Sequence, residues 1–339
     1  MIHRPSLTAD AAGNRRVLQD VLDTVPPGKL ELPPGTHGVA GGLRVPGGWT
    51  IRGWEVIGAN GGPPGSWLVS ADTTGHPLLH ILGSDVSVSD LGLRPPPADP
   101  GEHGGDRGTA ITVGEYLYAA APDEIAGVDI RRVRVARGGD RQANGIAVMG
   151  AVRDVSLHDI TVQGGYTGLA VHWGAVGTNV STITGSTYHP HRLTVTDLRV
   201  RDAVEGFYLS SVHDVRVIGC CLRDVGIGFR LLPGDNTDRF TMSPRIGSDI
   251  EIANACVTWT GSQYGIRIAG WGRSEIDGVV TQLGYTDAVI HDCRLTGGGI
   301  ESWSPVLVEH ASGVELRNIR VDTGPAAPGA PCCALGLRT

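Results

Sequence analysis

Four side chains that could bind an anion and move protons occupy similar positions in short alternating segments. Tyr208, Arg230 and Arg267 are each the middle residue between two apolar neighbours, and His172 follows another such segment. Arginine binds a carboxylate through parallel N–H donors and stays charged at working pH. Tyrosine and histidine can donate and accept protons. This set suits proton abstraction next to a carboxylate or carbonyl, with arginine stabilising the enolate-like charge that develops.

Several further polar and aromatic residues accompany these four. Glu205 precedes Tyr208 and is expected to act as a base or as the partner of an arginine. The residues expected to contact a substrate are Trp173, Tyr264, Trp271, His80 and Asn144. The competing interpretations are loop packing for the aromatic residues and pairing of the arginines with loop carboxylates at Asp235, Asp238 or Glu275. His189 and His191 lie in a long loop, where a surface position is expected.

The elements that must position these residues follow from an eight-residue pattern, apolar-x-apolar-x-x-apolar-x-apolar. Each half alternates as a strand with one buried face does, and the two middle residues form a turn. The second turn residue is Asp or Asn in six of the eight copies, and these residue types tolerate left-handed backbone. The copies are Val86–Leu93, Val128–Val135, Val155–Val162, Leu193–Val200, Val215–Leu222, Ile250–Val257, Ala288–Leu295 and Val314–Val321.

A third alternating strand lies between successive copies, and its middle residue should face outward. Coil by coil this predicts one outward row: His80, Thr112, Ala147, Ala170, Tyr208, Arg230, Arg267 and Leu307. Neighbouring strands lie about 4.8 Å apart, so Tyr208, Arg230 and Arg267 should be near neighbours. We expect His172, Glu205 and Asn144 to face the same way from adjacent positions. The small residues Ala147 and Ala170 are expected to leave room for a ligand.

Three strands per coil of about 22 residues predict a single-stranded right-handed parallel β-helix of nine to ten coils. The coil pattern resembles the pectate-lyase-like superfamily, and the N-terminal run Pro26–Val39 and Leu43–Gly53 resembles the segment that leads into its first coil. This resemblance covers nearly the whole chain and implies the fold. It does not imply one activity, because the superfamily includes lyases, hydrolases, epimerases and non-enzymatic spikes.

The catalytic motifs of particular families in that superfamily are incomplete in this chain. Polygalacturonases carry Asn-Thr-Asp, Asp-Asp, Gly-His-Gly and Arg-Ile-Lys on successive coils. Only Asn236-Thr237-Asp238 occurs here, within a long insertion. The outward rows hold too few carboxylates for the calcium cluster of pectate lyases. Arginine with tyrosine or histidine is instead similar to metal-free uronate lyases and epimerases, where arginine neutralises the carboxylate and a Tyr/His pair moves the α-proton.

Composition narrows the function classes. A net charge of −7 argues against a general nucleic-acid surface, and no segment is apolar enough to span a bilayer. Lys29 is the only lysine, which excludes a lysine base elsewhere. The six cysteines have no zinc-site spacing, and Cys220 and Cys293 fall at inward positions, as small core residues. The sequence starts without an apolar signal segment, so we expect a cytoplasmic protein.

One domain over residues 1–339 is expected. It divides into a cap with a helix from Thr8 to about Asp23 and the leading segment (1–40), the coils (41–324) and a C-terminal tail with a last strand (325–339). The predicted apolar face of the helix is Val17, Leu18, Val21 and Leu22. Three insertions, Gly174–Arg192, Leu232–Asp249 and Gly270–Asp287, should leave one edge of one sheet and roof the Tyr208 row.

Three functions remain open from the sequence. The first is a lyase or epimerase acting on an anionic carbohydrate or small acid, without cofactor or metal. The second is a cyclase or isomerase for a biosynthetic intermediate in a loop-covered pocket. The third is a non-enzymatic β-helix that binds glycans. We expect a small-molecule or oligosaccharide partner, no nucleic acid or membrane partner, and a monomer or weak homo-oligomer.

Overall fold

The computed structural model describes residues 1–54, 65–73, 75–98, 107–177, 187–233, 247–260, 264–270, 272–276, 279–297, 305–323 and 335–338. One helix precedes the coils. Its first residue follows Asp10, whose side chain accepts a hydrogen bond from the Ala12 amide at 3.1 Å. The predicted Thr8 cap is therefore wrong by two residues, because Asp10 rather than Thr8 meets the first free amides.

The helix covers the open end of the β-helix. Leu18 and Leu22 are buried and Val21 is partly buried, as predicted, but Val17 is 39% exposed and lies outside the apolar face. The elements up to the first long loop are β1 (Ile2–His3), α1 (Ala11–Thr24), β2 (Lys29–Glu31), β3 (Gly35–Val39), β4 (Leu43–Val45), β5 (Thr50–Arg52), β6 (Ser66–Ser70), β7 (Leu79–Ile81) and β8 (Ser87–Arg94). Within the described part of the chain, no helix is long and apolar enough to span a membrane.

The remaining strands repeat with the coil period. The middle coils contain β9 (Ile111–Gly114), β10 (Leu117–Tyr118), β11 (Ile125–Ala136), β12 (Ile146–Met149), β13 (Val152–Gln163), β14 (Thr167–His172), β15 (Gly174–Val176), β16 (Thr187–Tyr188), β17 (His191–Thr196), β18 (Arg199–Arg201), β19 (Glu205–Ser210), β20 (His213–Ile218), β21 (Cys221–Val225) and β22 (Ile227–Leu231). The last coils contain β23 (Gly247–Ala253), β24 (Cys256–Trp259), β25 (Ile266–Ile268), β26 (Gly272–Ile276), β27 (Val279–Leu283), β28 (Tyr285–His291), β29 (Arg294–Gly297), β30 (Val306–Glu309), β31 (Glu315–Arg317), β32 (Arg320–Thr323) and β33 (Leu335–Arg338).

These strands form a right-handed parallel β-helix, which confirms the predicted fold. Ten strands, one per coil, form an all-parallel sheet in the order β33-β30-β25-β22-β19-β14-β12-β9-β7-β4. The eight-residue copies form an 18-stranded sheet that wraps the rest of the coil. In β8, β11 and β13 the two halves of a copy run on as a single strand through the turn.

The turn residues of all eight copies have left-handed backbone, including the two that are not Asp or Asn, Arg132 (φ 51°) and Gly219 (φ 72°). A second left-handed column, which the sequence did not reveal, lies one residue before each copy: Asp85, Gly127, Asp154, Arg192, Asp214, Asp249, Asp287 and Gly313. Each copy is thus bounded by a bend at its start and another at its middle. Aspartate suits both because its short side chain stabilises left-handed backbone.

The core is a stack of aliphatic columns. Seven residues of the predicted column Leu91, Val133, Ile160, Leu198, Cys220, Ala255, Cys293 and Ile319 are at most 2% exposed, and Ile319 packs partly buried at the C-terminal end. Cys220 and Cys293 are free thiols in this core, as predicted. Burial raises the pKa of the Cys220 thiol to about 12.

Candidate functional site

The predicted outward row exists in register. In the ten-stranded sheet, Ala170 pairs with Tyr208, Tyr208 with Arg230, and Arg230 with Arg267. The inward neighbours of all three residues are fully buried, which fixes the three middle side chains on the outer face. These neighbours are Phe207, Leu209, Phe229, Leu231, Ile266 and Ile268. Parallel strands in register lie about 4.8 Å apart, so three functional side chains project side by side from consecutive coils.

Arg230 is paired with Glu205. Its Nη1 donates to Glu205 Oε1 at 2.7 Å, and Thr167 Oγ1 donates to Glu205 Oε2 at 3.2 Å. The Glu205 side chain is only 2% exposed, so the ion pair is largely removed from water. Burial is the largest single influence and lowers the pKa of Arg230, but the charge and hydrogen bond of Glu205, together with Tyr208 and Tyr166, raise this pKa overall. Of the two roles expected for Glu205, this geometry supports the partner of an arginine.

Arg267 has its own carboxylate. Its Nη2 donates to Glu309 Oε2 at 3.2 Å, and its guanidinium carbon lies 5.6 Å from the centre of the Tyr264 ring. Each of the two arginines is therefore paired with its own glutamate, Arg230 with Glu205 and Arg267 with Glu309. The alternative partners Asp235, Asp238 and the Glu275 side chain lie outside the described residues.

Tyr208 lies between a histidine and an arginine. Its ring centre is 6.0 Å from that of His172, and the Arg230 guanidinium carbon lies 5.0 Å from its ring centre. His172 Nδ1 is 2.7 Å from the Trp173 carbonyl oxygen, which can only accept a hydrogen bond. Nδ1 therefore carries a proton, and in the neutral ring Nε2 bears the lone pair. The Tyr208 phenol thus lies between an imidazole on one side and a guanidinium on the other.

Glu205 reaches the outer face for a reason that simple alternation does not give. It lies three residues before Tyr208, so strict alternation would turn it inward. Gly206 intervenes, and a Cβ there would lie 2.6 Å from the core methyl group Leu222 Cδ1. Gly206 is thus the residue that faces the core. The equivalent glycines, whose added Cβ would also meet core side chains, are Gly145, Gly168, Gly228 and Gly265. This glycine column shifts the alternation by one residue, and Asn144, Thr167, Glu205 and Tyr264 all precede it.

Some predicted substrate contacts are not available to a ligand. Trp173 is fully buried and Asn144 is 1% exposed, so neither can contact a ligand in this conformation. His80 lies four coils from Tyr208, about 19 Å along the sheet, and its Nε2 is 2.9 Å from the Gly114 carbonyl oxygen. Trp271 lies outside the described residues. Of the five expected contact residues, Tyr264 remains partly exposed beside the row.

The expected space over Ala147 and Ala170 is also absent. Both residues point outward, yet they are 0% and 2% exposed, and Thr112 and Leu307 in the same row are equally covered. The protein therefore packs over the row on both sides of the stretch Tyr208, Arg230 and Arg267, which is itself partly exposed. His80, at the far end of the row, is also partly exposed.

Two residues of this neighbourhood are not among the predicted site residues. Tyr116 packs edge-on against His172 and Trp173, with ring centres 4.9 and 5.0 Å apart. It lies in an irregular segment after β9, so no periodic signal could place it there. Glu309 could have been found, because it follows Leu307 by two residues and so faces outward beside Arg267.

Three of the ten buried polar side-chain atoms that have no hydrogen-bond partner among the described residues lie in this cluster. Arg230 Nε, Arg267 Nε and Ser210 Oγ are buried and have no hydrogen-bond partner within the described ranges. A buried unsatisfied polar atom costs about 1–3 kcal/mol, so such atoms need an explanation beyond stability. Clusters of this kind are typical of functional sites.

The three insertions do leave one edge of the ten-stranded sheet, since β14, β22 and β25 are parallel and in register. They are not structureless, however. The first contributes β15 and β16, which join β10 in a small sheet, and the third contains the antiparallel hairpin β26–β27. The parts predicted to roof the Tyr208 row include 178–186 and 234–246, which lie outside the described residues. Among the residues that are described, no group of three or more His, Cys, Asp or Glu side chains could hold a metal ion.

Comparison with known proteins supports the fold. No protein-family profile and no curated protein matches the chain. The tailspike gp42 of Acinetobacter phage vb_AbaP_AS12 superposes with a TM-score of 0.56 at 11% identity, over 100% of this chain and 61% of the tailspike. The enzymatically active domain of tailspike protein 2 from bacteriophage CBA120 gives 0.51 at 12% identity, over 96% and 49%. An alginate lyase from Paenibacillus gives 0.49 at 14% identity, over 94% and 99%.

The chain therefore spans about half to three fifths of the two tailspikes. At these identities the likeness establishes the fold alone. It confirms that the chain resembles the pectate-lyase-like β-helix proteins in architecture.

Proposed function

We propose that this protein is an enzyme acting on an acidic carbohydrate, and that it abstracts the proton next to the uronate carboxylate. The observation that carries the proposal is the contact of the Tyr208 ring with both His172 and Arg230 on the outer face of the ten-stranded sheet. The fold is compatible with this use, because the superposed domain of tailspike protein 2 from bacteriophage CBA120 is named as enzymatically active.

The roles follow from the chemistry of each group. Tyr208 and His172 are the proton-transfer groups, and His172 Nε2 offers a lone pair because Nδ1 is held by the Trp173 carbonyl oxygen. Arg230 stabilises the enolate-like charge that forms when the α-proton leaves. Glu205 orients Arg230 through the 2.7 Å ion pair and balances its charge.

The charge balance sets how the substrate would be bound. Arg230 and Arg267 are matched by Glu205 and Glu309, so the row carries little net charge. A substrate carboxylate would meet fixed guanidinium N–H donors rather than a strongly positive field. Binding would then depend on geometry more than on long-range attraction.

Elimination fits the geometry better than epimerisation. Tyr208 and His172 project from the same face of one sheet in adjacent coils. A sugar that lies on that face presents one side to both groups, so one can remove the α-proton while the other protonates the leaving glycosidic oxygen. Epimerisation requires a second proton donor on the opposite side of the ring. Within this proposal, a polysaccharide lyase is therefore preferred.

The test is incubation of the full chain with a panel of uronate polymers, including polymannuronate, polyguluronate, polygalacturonate and a glucuronan. Elimination produces an unsaturated uronate, which is followed by its ultraviolet absorbance, and epimerisation is followed by NMR of the recovered polymer. Tyr208→Phe should reduce turnover by roughly two to four orders of magnitude while substrate binding persists. Tyr118→Phe is the matched control, since Tyr118 is a buried tyrosine outside the row.

The outcomes separate the remaining alternatives. Unchanged turnover in Tyr208→Phe would remove the tyrosine from the mechanism and leave His172 as the proton-transfer group. Binding of a polymer without any product would favour the glycan-binding β-helix. Neither binding nor turnover across the panel would favour a small biosynthetic intermediate as substrate.

A further inference from the structure

A column of arginine and cysteine side chains runs along the outer face of the 18-stranded sheet. Arg199, Cys221, Cys256, Arg294 and Arg320 occupy the same register position in five consecutive coils. This column belongs to a different sheet from Tyr208. Because Cys221 pairs directly with Cys256, the two cysteines lie on adjacent strands of successive coils.

The spacing of the two cysteines suits a covalent link. Residues in register on adjacent parallel strands have Cα atoms about 4.8 Å apart, within the range of about 4.4–6.8 Å found for disulfides. Their following neighbours Leu222 and Val257 are 0% and 1% exposed, so both cysteine side chains point out from the same face. Both cysteines are free thiols in the structure.

Accessibility distinguishes this pair from the thiols of the core. Cys256 is exposed and Cys221 is half-buried, whereas Cys220 and Cys293 are buried in the aliphatic column. An oxidant in solution can reach Cys256 directly. Cys221 is less accessible and lies one coil away. Cys256 would therefore react first with the oxidant, and Cys221 would act as the resolving thiol.

The charges around the pair favour an anionic oxidant. On one side, Arg134 and Arg199 share the single carboxylate of Asp159, at 3.3 and 2.7 Å. On the other side, Arg294 and Arg320 share Asp322, at 2.9 and 3.7 Å. Each flank of the pair thus offers two guanidinium groups to an anionic oxidant, and the turn carboxylates Asp197 and Asp292 lie two residues before Arg199 and Arg294.

We propose that Cys221 and Cys256 form a reversible disulfide between successive coils, with an anionic low-molecular-mass disulfide such as oxidised glutathione as the oxidant. The Cys256 thiolate attacks one glutathione sulfur, an S–S bond to Cys256 forms, and the first glutathione thiolate leaves. The Cys221 thiolate then attacks the Cys256 sulfur and expels the second glutathione. The two protein thiols lose two protons and two electrons, and the glutathione disulfide takes up both the electrons and the protons to give two thiols.

The link should be easily reduced. Side chains on adjacent parallel strands stand roughly the strand spacing of about 4.8 Å apart, wider than the mean Cβ separation of about 3.8 Å in disulfides. Closing the bond therefore draws the two coils together locally. Strained and exposed disulfides are the labile ones, so the pair would respond to redox conditions rather than serve as a permanent cross-link.

The test uses the full chain with Cys332→Ser and Cys333→Ser, which leaves four of its six cysteines. After treatment with oxidised glutathione, alkylation of the denatured protein should label two thiols instead of four. Peptide mapping should recover the segment with Cys221 joined to that with Cys256, and dithiothreitol should restore four thiols.

Two variants check the assigned order. Cys221→Ser should trap a stable mixed disulfide of glutathione on Cys256, whereas Cys256→Ser should react more slowly and form no internal link. Cys293→Ser, a change in the buried column, should leave the Cys221–Cys256 link intact. Four remaining thiols after treatment, a stable glutathione adduct on the protein that retains both cysteines, or a link between two chains would overturn the proposal.

Discussion

The Glu205 carboxylate and the Arg230 guanidinium are 2.7 Å apart across two coils, and the carboxylate is almost completely buried. The pair holds Arg230 beside the Tyr208 ring and keeps one guanidinium edge turned toward the protein. Replacing either residue alone would therefore leave the charge of the other without a partner in a largely buried position.

Replacing Arg230 with Met should lower the free energy of unfolding by roughly 3 kcal/mol. This is the low end for a broken buried pair, because the arginine keeps a quarter of its side chain exposed. Urea unfolding followed by circular dichroism measures the change. The double variant Arg230→Met/Glu205→Met should recover most of the loss, since no buried charge is left. Equal losses in the single and double variants would contradict a charge-based cost.

Replacing Arg230 or Arg267 with Lys should reduce kcat/KM on the substrate found in the polymer panel by roughly tenfold to a hundredfold. Lysine keeps the positive charge but lacks the planar guanidinium, whose several N–H donors can bind the substrate carboxylate and the paired glutamate at the same time. The comparison is Arg294→Lys, an exposed arginine of the other sheet, which should retain full activity. Unchanged kinetics in both row variants would show that the substrate binds elsewhere.

Gly206→Ala should disturb the site from inside the coil. The added Cβ would lie 2.6 Å from both Gly228 O and Leu222 Cδ1, so the strand must shift. We expect a loss of about 1–3 kcal/mol in unfolding free energy, and reduced activity because Glu205 is the preceding residue. Gly139→Ala is the control, since nothing lies within 4 Å of a Cβ there. A fully stable and active Gly206→Ala protein would mean that this corner is not tightly packed.

The pH dependence of stability should include a contribution from His213. His189 Nδ1 lies 2.9 Å from His213 Nε2, and His213 Nδ1 lies 3.0 Å from Ser248 Oγ, which donates to Asp249 Oδ2. The ring planes differ by only 14°, as expected for rings joined in their common plane by a hydrogen bond. Burial and the neighbouring His191 lower the pKa of His213, while Asp249 opposes the change.

A lowered histidine pKa means that the folded state binds fewer protons than the unfolded state. This stabilisation is complete above the ordinary histidine pKa of about 6.5 and is lost as pH falls through the folded-state value. His213→Gln should therefore flatten the decline of melting temperature below about pH 6.5. His291→Gln is a control whose pH dependence should have the opposite sign. Asp292 and Glu251 raise the pKa of His291, so the stabilisation by His291 is present in acid and is lost as pH rises. Parallel pH profiles for wild type and His213→Gln would contradict the assignment.

Ile160→Asp should cost about 4 kcal/mol or more, because an unpaired carboxylate would lie in a fully buried column. Ile160→Val removes one methylene group from the same position and should cost only about 0.5–1.5 kcal/mol. Chemical denaturation of both variants gives the comparison. Similar losses for the two would mean that the column admits water.

The sequence alone determined the coil pattern, the inward columns and the outward row. All of these depend on a period-2 alternation and on the turn residues of a repeated eight-residue unit. Each coil packs only against its neighbours, so local pattern and stacking register are linked, and the positions of Tyr208, Arg230 and Arg267 followed directly. The resemblance to β-helix proteins rested on the same repeat.

The tertiary structure decided which charges meet and which side chains are accessible. Glu309 and Glu205 are 42 and 25 residues away in sequence from the arginines they bind. The glycine column shifts the alternation at a corner, which brings Glu205 outward against simple parity. Trp173 and Asn144 are covered by segments without periodic signal. Ion pairing and cover depend on how irregular segments fold over the sheet, and a repeat pattern carries no information about that.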